Sequence, residues 1–331
     1  MEILKIKPAM KDYIWGGNRL IKLFNKESDL DKIAETWELS TNKDGLSKIE
    51  GGEYDKRNFI DYINEKGNSV IGKDFDKEEF PVLIKLIDAK EALSIQVHPD
   101  DIYGKEHENS QGKTEMWYIV DADKDAFIYY GFKKEVTKEQ LEDSIKNNYI
   151  LDLLKKVPVK KGEYVFIEPG TIHAIGAGIL ICEIQQNSNI TYRVYDYDRV
   201  GNDGKKRELH VSKAQDVARL KPNGEYEFTD ENRINPYLKR LVKSEYFDVF
   251  KSNVKDGVLG YKVNKDTYQA IVFIEGEGLI VLEDESKIPF RKGDTFYIPA
   301  QEETIYYLEG KGSMILTTLP FVSPEEKLNL I

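Results

Sequence analysis

The feature that most restricts the fold is a series of short apolar runs, rich in β-branched and aromatic residues, repeatedly interrupted by Gly, Pro, Asn and Asp. PVLIKLIDA, EALSIQVHP, EMWYIVDA, AFIYYGF, GEYVFIEPG, ILICEIQQ and TYRVYDYD follow one another between residues 81 and 198. Runs of this length, separated by turn signals, build sandwiches or barrels rather than βαβ units. After residue 240 the pattern resumes as YFDVFKSNV, GYKVNK, YQAIVFIEGEGLIVLE, DTFYIPA, TIYYLEG and SMILTTLP. A mainly β chain with two successive β units is expected.

Helix signals interrupt the pattern in three places. Segment 137–156 opens with a Thr137/Gln140 capping box and carries Leu141, Ile145, Tyr149, Leu153 and Leu154 along one stripe, which predicts a helical insertion over about 135–157. A shorter helix is expected at 57–66, and another from about Ser212, with Gln215 three residues later. The polar stretch KPNGEYEFTDENRINPYLKR, residues 221–240, reads as a loop and sets the expected boundary between a first domain, 1–240, and a second, 241–331. A length of 331 residues accommodates both. KGEYVFIEPGTIHAI and KGDTFYIPAQEETIYYL align without gaps at Gly162 and Gly293, so the two units read as repeats. His173 then falls opposite Thr304, or opposite Glu303 if the prolines are aligned instead, and the second copy contains no histidine in either register.

A net charge of -11 argues against a general nucleic-acid surface, and an anionic ligand would need a local basic pocket. Cys182 is the only cysteine, which excludes an intrachain disulfide framework and any CxxC site and points to the cytoplasm. The N-terminal stretch has too short an apolar run for a signal segment, and no run reaches the length of a membrane-spanning helix, so a soluble protein is expected.

Gln96 and His98 share one face of the LSIQV strand, while Ile95 and Val97 take the other. Glu115 opens the strand EMWYIV, and His173 follows the strand and turn VFIEPGT. Two imidazoles, a carboxylate and an amide oxygen suit a borderline divalent ion with a position left open, as in catalytic zinc. Ser94 has the parity of Gln96 and His98, and Lys113 that of Glu115, so both are placed in the same cavity. Trp15 and Trp117 read as core, His107 as an exposed loop residue and His210 as structural.

SIQVHPDD, GKTEMWYI, PGTIHAI and EIQQNSNITYRVYDYDR resemble type I mannose-6-phosphate isomerases in their compact bacterial form, across at least residues 1–220. The resemblance implies cupin-type double-stranded β-helix, or jelly-roll, barrels, with the metal confined to the first. It implies one Zn2+ per chain, bound by Gln96, His98, Glu115 and His173, the amide being the weakest donor. It implies interconversion of mannose 6-phosphate and fructose 6-phosphate through a cis-enediol. Arg193, ten residues after Glu183, matches the family's catalytic arginine, with Glu183 a candidate proton shuttle. Lys113, Ser94 and Arg199 are candidates for binding the sugar phosphate, Lys113 also for catalysis. Asn189 stands where many relatives carry aspartate. Glu183 and Arg193 could instead form a structural ion pair. A sugar-phosphate-binding cupin without turnover, or a different metal-dependent cupin such as an oxygenase, are the competing functions. A monomer or a homodimer is expected.

Overall fold

The computed structural model describes residues 1–201, 204–224 and 233–320. The chain enters with β1 (Leu4–Lys7) and β2 (Ala9–Lys11), turns through α1 (Arg19–Phe24), and continues as β3 (Glu35–Leu39), β4 (Lys48–Glu50) and α2 (Phe59–Lys66). Next come β5 (Val82–Ala89), β6 (Ile95–Val97), α3 (Asp101–Glu108), β7 (Glu115–Ala122), β8 (Phe127–Phe132), α4 (Lys138–Lys146), α5 (Ile150–Leu153) and β9 (Leu154–Pro158). The first part closes with β10 (Tyr164–Ile167), β11 (His173–Ile175), β12 (Ile179–Gln186), β13 (Tyr192–Tyr195) and α6 (Val211–Val217).

Two antiparallel sheets stack here, one ordered β10-β7-β12-β5-β3-β2 and the other β13-β6-β11-β8-β9. Their facing surfaces share a core in which Ile87, Trp117 and Ile181 of the first sheet pack with Ile128, Tyr130 and Ile175 of the second. The five-stranded sheet turns Ile95, Val97, Tyr129 and Val194 outward against Leu141 and Ile145 of α4, Ile150 of α5 and Ala214 of α6. The helices thus cover a face that would otherwise be exposed and greasy.

The second part contains β14 (Arg233–Asn235), β15 (Leu238–Lys243), β16 (Asp248–Val263), β17 (Gln269–Leu282), β18 (Lys287–Arg291), β19 (Thr295–Ile298) and β20 (Thr304–Thr318). These strands form one sheet together with β1 and β4, because β1 pairs with β19 on one side and β4 on the other. Its core is filled by Phe250, Tyr261, Phe273, Phe290, Phe296 and Tyr306. Its other face packs Val249, Ala270, Val272 and Ile315 against Ile84, Leu86, Cys182 and Ile184, the outer surface of the six-stranded sheet. As a result β5 and β12 are buried on both faces along their whole length.

The fold is mainly β and of the jelly-roll type, although the sheets stay open instead of closing into full barrels. The repeat has a direct structural counterpart. Gly162 and Gly293 both adopt φ 94°, each opens a four-residue strand two residues later, and His173 and Thr304 each begin the next strand. Gly162 donates its backbone N–H to Ile119 and Gly293 donates to Phe273, so β7 and β17 also correspond, with Gln269 in the place of Glu115. Gln269 is engaged within the second core, donating to the Lys262 carbonyl at 2.8 Å and accepting from the Tyr306 hydroxyl at 2.8 Å.

Four local expectations are corrected. The capping box at Thr137 forms in both directions, but the helix it starts stops at Lys146, because Asn148 takes a left-handed φ of 59°. After the short α5, Leu154 to Pro158 pass into β9, which pairs with β8. In the stretch read as a loop, residues 225–232 lie outside the described residues, but Arg233–Asn235 and Leu238 onward are strands that extend the nine-stranded sheet. His107 lies in the last turn of α3 rather than in a loop, with Asp100 capping that helix by accepting from the Tyr103 N–H.

Candidate metal centre and sugar cavity

The six-stranded sheet supplies a row of side chains that face the sandwich interior. Trp37 pairs with Lys85, Lys85 with Glu183, and Glu183 with Trp117 in the cross-strand register. Lys85 Nζ lies 3.5 Å from both Glu35 Oε2 and Glu183 Oε2 and sits over the Trp37 ring at 4.8 Å. The two indoles donate to the two carboxylates, Trp37 to Glu35 at 2.8 Å and Trp117 to Glu183 at 3.0 Å. Burial raises the Glu183 carboxyl above its ordinary range, and the nearby Glu115 and Glu35 add to this against the pull of Lys113 and Lys85.

One strand position away stands the donor cluster. His98, Glu115 and His173 are almost fully buried, and their ligand atoms lie within 4.8 Å of one another. Glu115 Oε1 is 3.1 Å from His173 Nε2, and Oε2 is 3.6 Å from His98 Nε2. Each imidazole uses Nδ1 to donate to a backbone carbonyl, His98 to Ile190 at 2.7 Å and His173 to Thr171 at 2.9 Å. That fixes the tautomer and turns both Nε2 lone pairs toward the carboxylate, the usual second-layer arrangement around a metal. Burial pushes His98 well below its ordinary pKa, with Lys113 adding to the effect, so its ring is neutral as a ligand must be. Burial opposes ionisation of Glu115, but the Lys113 ammonium beside it holds the carboxyl well below the usual carboxylate range. Neither oxygen of this buried carboxylate accepts a hydrogen bond, although Lys113 Nζ approaches Oε2 to 2.8 Å. Two imidazole Nε2 atoms and an ionised, under-satisfied carboxylate fit a divalent ion of the zinc class.

Gln96 pairs directly with His173 across β6 and β11, and its amide nitrogen lies 3.5 Å from His173 Nε2. Turning the amide over brings its oxygen to the same place, so Gln96 is within reach as a fourth donor. Ser94 bonds to Gln96 Oε1 at 3.5 Å.

A cavity of about 380 Å³ opens beside these donors, lined by Ser94, Gln96, Lys113, Glu183 and Arg193 from the sequence-based set. His98, Glu115 and His173 lie behind it, reached through Gln96 and Lys113, whose ammonium is 3.3 Å from His98 Nε2. Arg193 does not pair with Glu183 as the structural alternative had it. Its Nε donates to Ser94 at 3.3 Å and its Nη1 to the Glu208 carbonyl at 3.0 Å, while Lys85 is the cation next to Glu183. Arg199 is set apart from the cavity lining, bonded to the Ala92 carbonyl at 2.7 Å and to Asp196 at 2.5 Å. Arg207 stands in the lining instead, with Nε and Nη2 both on Asp196, at 2.7 and 2.6 Å. Burial and the neighbouring Arg207 push the Arg193 guanidinium below its ordinary range, a repulsion that a bound anion would relieve. His210, read as structural, also lines the cavity while accepting from the Arg193 N–H at 3.2 Å. Asn189 joins it too, tied to Asp44 at 3.0 Å.

Lys85, Glu35 and Arg207 were not foreseen. The signal for Lys85 was a single lysine inside PVLIKLIDA, a run apolar on both faces; Arg207 sits in a polar stretch that gives no such contrast.

Fold and site together define a cupin-type protein whose cavity combines buried cations with a His-Glu-His donor cluster able to hold a metal ion. Residues 3–125 match phosphomannose isomerase type I, catalytic domain, and residues 238–319 match mannose-6-phosphate isomerase, cupin domain. The chain is 39% identical over 300 residues to mannose-6-phosphate isomerase ManA of Bacillus subtilis, covering 90% of this chain and 93% of that one. It is 37% identical over 301 residues to mannose-6-phosphate isomerase of Streptococcus mutans, covering 90% and 92%. A crystal structure of the mannose 6-phosphate isomerase from Bacillus subtilis superimposes with a TM-score of 0.88 at 34% identity, covering 96% of this chain and 99% of that one. The chain belongs to the type I phosphomannose isomerase family. Among the described residues no helix is long and apolar enough to cross a membrane.

Proposed function

We propose that the protein is a mannose-6-phosphate isomerase, interconverting mannose 6-phosphate and fructose 6-phosphate in the cytoplasm with one zinc ion per chain. The observation that carries this reading is the convergence of His98, Glu115 and His173 beside a cavity whose wall presents Lys113, Glu183 and Arg193. A volume of about 380 Å³ falls within the usual range for small-molecule sites.

The reaction moves a proton from C2 of the aldose to C1 through a cis-enediol, so no external oxidant or reductant is consumed. Its barrier is the negative charge that gathers on oxygen. A divalent ion, when bound, supplies Lewis-acid stabilisation of that charge. Arg193 adds a permanent positive charge and fixed donors, which Ser94 and the Glu208 carbonyl hold in place. Lys113, fixed by Glu115, donates to a sugar oxygen. Glu183 is assigned the proton transfer, since a carboxyl whose pKa burial raises is a stronger base toward carbon acids than an ordinary one. Arg207, braced by Asp196, faces the phosphate together with Arg193. Arg199, the sequence candidate for that task, supports the same Asp196 from behind.

A coupled assay with mannose 6-phosphate, run before and after chelation, tests the reading. Turnover that chelation abolishes and added zinc restores is expected. No turnover in the zinc-loaded protein overturns the isomerase, with tight binding of the sugar phosphate then indicating a sensor, whereas turnover indifferent to chelator overturns the metal's part.

A further inference from the structure

The C-terminal sheet does not repeat the donor cluster, since Gln269 and Thr304 occupy the places of Glu115 and His173. Yet it reaches toward the site at one point. Between β15 and β16 the chain makes a tight turn in which Ser244 Oγ accepts from the N–H groups of Tyr246 and Phe247, both at 3.1 Å. The Ser244 N–H in turn bonds to the Phe247 carbonyl at 2.9 Å, and the Phe247 side chain is fully buried. Tyr246 is therefore presented on a rigid corner. Its hydroxyl donates to Asp101 Oδ2 at 3.0 Å, across 145 residues of chain.

Asp101 opens α3, and its other oxygen collects two further donors. Oδ1 accepts from the Gly112 N–H at 2.8 Å and from Gln186 Nε2 at 2.9 Å. The remaining oxygen of the Gln186 amide accepts from the Thr114 N–H at 2.8 Å, while the Gln186 N–H bonds to the Thr114 carbonyl at 3.0 Å. Gly112 and Thr114 flank Lys113, whose own N–H is held by the Pro99 carbonyl at 3.0 Å. Three consecutive backbone amides are thus fixed immediately before Glu115. The packing leaves no slack, because a Cβ at Gly112 would stand 2.4 Å from the Asp100 carbonyl carbon.

We propose that Tyr246 is a positioning residue through which the C-terminal sheet fixes the Lys113–Glu115 segment, acting by way of Asp101 and Gln186. The hydroxyl holds Asp101 against α3, Asp101 sets the Gln186 amide, and that amide sets the strand start from which Lys113 and Glu115 reach the donor cluster. This rests on the reading of His98, Glu115 and His173 as a zinc site, and its test is chosen to be read without turnover.

The test compares the zinc affinity of the full-length protein, by competition with a chromophoric chelator, for the parent, Tyr246→Phe, Asp101→Asn and Ser252→Ala. Tyr246→Phe deletes only the hydroxyl. Ser252→Ala removes a bond to Tyr261 inside the C-terminal core and reports general loosening of that sheet. Outer-layer partners of metal ligands are typically worth about 10–100-fold in affinity, so a more distant residue is expected to give about 3–10-fold weaker zinc binding in Tyr246→Phe. Asp101→Asn should weaken binding at least as much, and combining the two should add little, as for residues on one path. Zinc affinity unchanged in Tyr246→Phe overturns the proposal, as does an equal loss in Ser252→Ala. If the parent binds zinc but turns over no mannose 6-phosphate while Tyr246→Phe still weakens zinc, the isomerase reading falls and the positioning role stands.

Discussion

The most exposed point of the chemistry at the residue scale is Glu183, a carboxyl buried between Lys85 and Trp117. Burial raises its pKa, so the folded state binds this proton more tightly than the unfolded chain. Stability therefore falls as pH rises from the unfolded carboxyl value of about 4.3 through the higher native value, and the cost persists above it. Glu183→Gln removes that dependence while keeping an acceptor for the Trp117 indole. Urea titrations across pH are expected to show the variant gaining on the parent as pH increases, while turnover falls by about 10²–10⁴-fold. An unchanged pH profile would mean that burial does not raise the Glu183 carboxyl above its unfolded value. Such residues were unequally visible in advance. His98, Glu115 and His173 stood out because each lies on or beside a strand whose parity is readable. The Lys85–Glu183 pairing depends on the register between β5 and β12, which no local pattern encodes.

At the scale of elements, the two copies of the glycine-opened strand allow a matched comparison. Gly162 and Gly293 share φ 94°, but a Cβ at Gly162 meets nothing within 4 Å, whereas one at Gly293 would stand 2.1 Å from the Phe24 carbonyl oxygen. Gly162→Ala is expected to cost about 1–2 kcal/mol, the left-handed penalty alone. Gly293→Ala should cost clearly more, because α1 must shift from β19. Thermal unfolding of the two variants measures the difference, and equal losses would show that α1 yields freely. Elements with a local signal were legible: the capping box at Thr137, the helix near 57–66 and the strands on either side of the site. The break at Asn148 was not, because stripe residues continue through it and the competing force is the pairing of β9 with β8. The start of the nine-stranded sheet within a polar stretch was hidden for a similar reason, since edge strands need only one apolar face.

For the whole molecule, the junction between its parts is held by a buried polar group of N-terminal and C-terminal origin. Lys26 Nζ donates to Glu38 at 2.8 Å and to the Gly293 carbonyl at 2.6 Å, and Glu38 also accepts from Thr36 and Thr295, both at 2.6 Å. Removing one member leaves a buried charge without its partner, so Lys26→Met is expected to lower unfolding free energy by about 3–5 kcal/mol in denaturant titration. A loss of less than about 1 kcal/mol would instead assign the junction to the apolar contacts around it.

Taken by itself, the sequence determined the β class, the repeat at Gly162 and Gly293, the donor residues and the family resemblance, because these depend on alternation, turn chemistry and short spacings along one strand. Only the tertiary structure decided that β1 and β4 leave the first part for the C-terminal sheet. Only it exchanged Arg199 for Arg207 in the cavity wall and set Lys85 between two carboxylates. The physical reason is common to all three. Sheet register and the packing of one sheet on another bring together residues far apart in the chain, and a charge acquires its role from the partners that burial forces upon it.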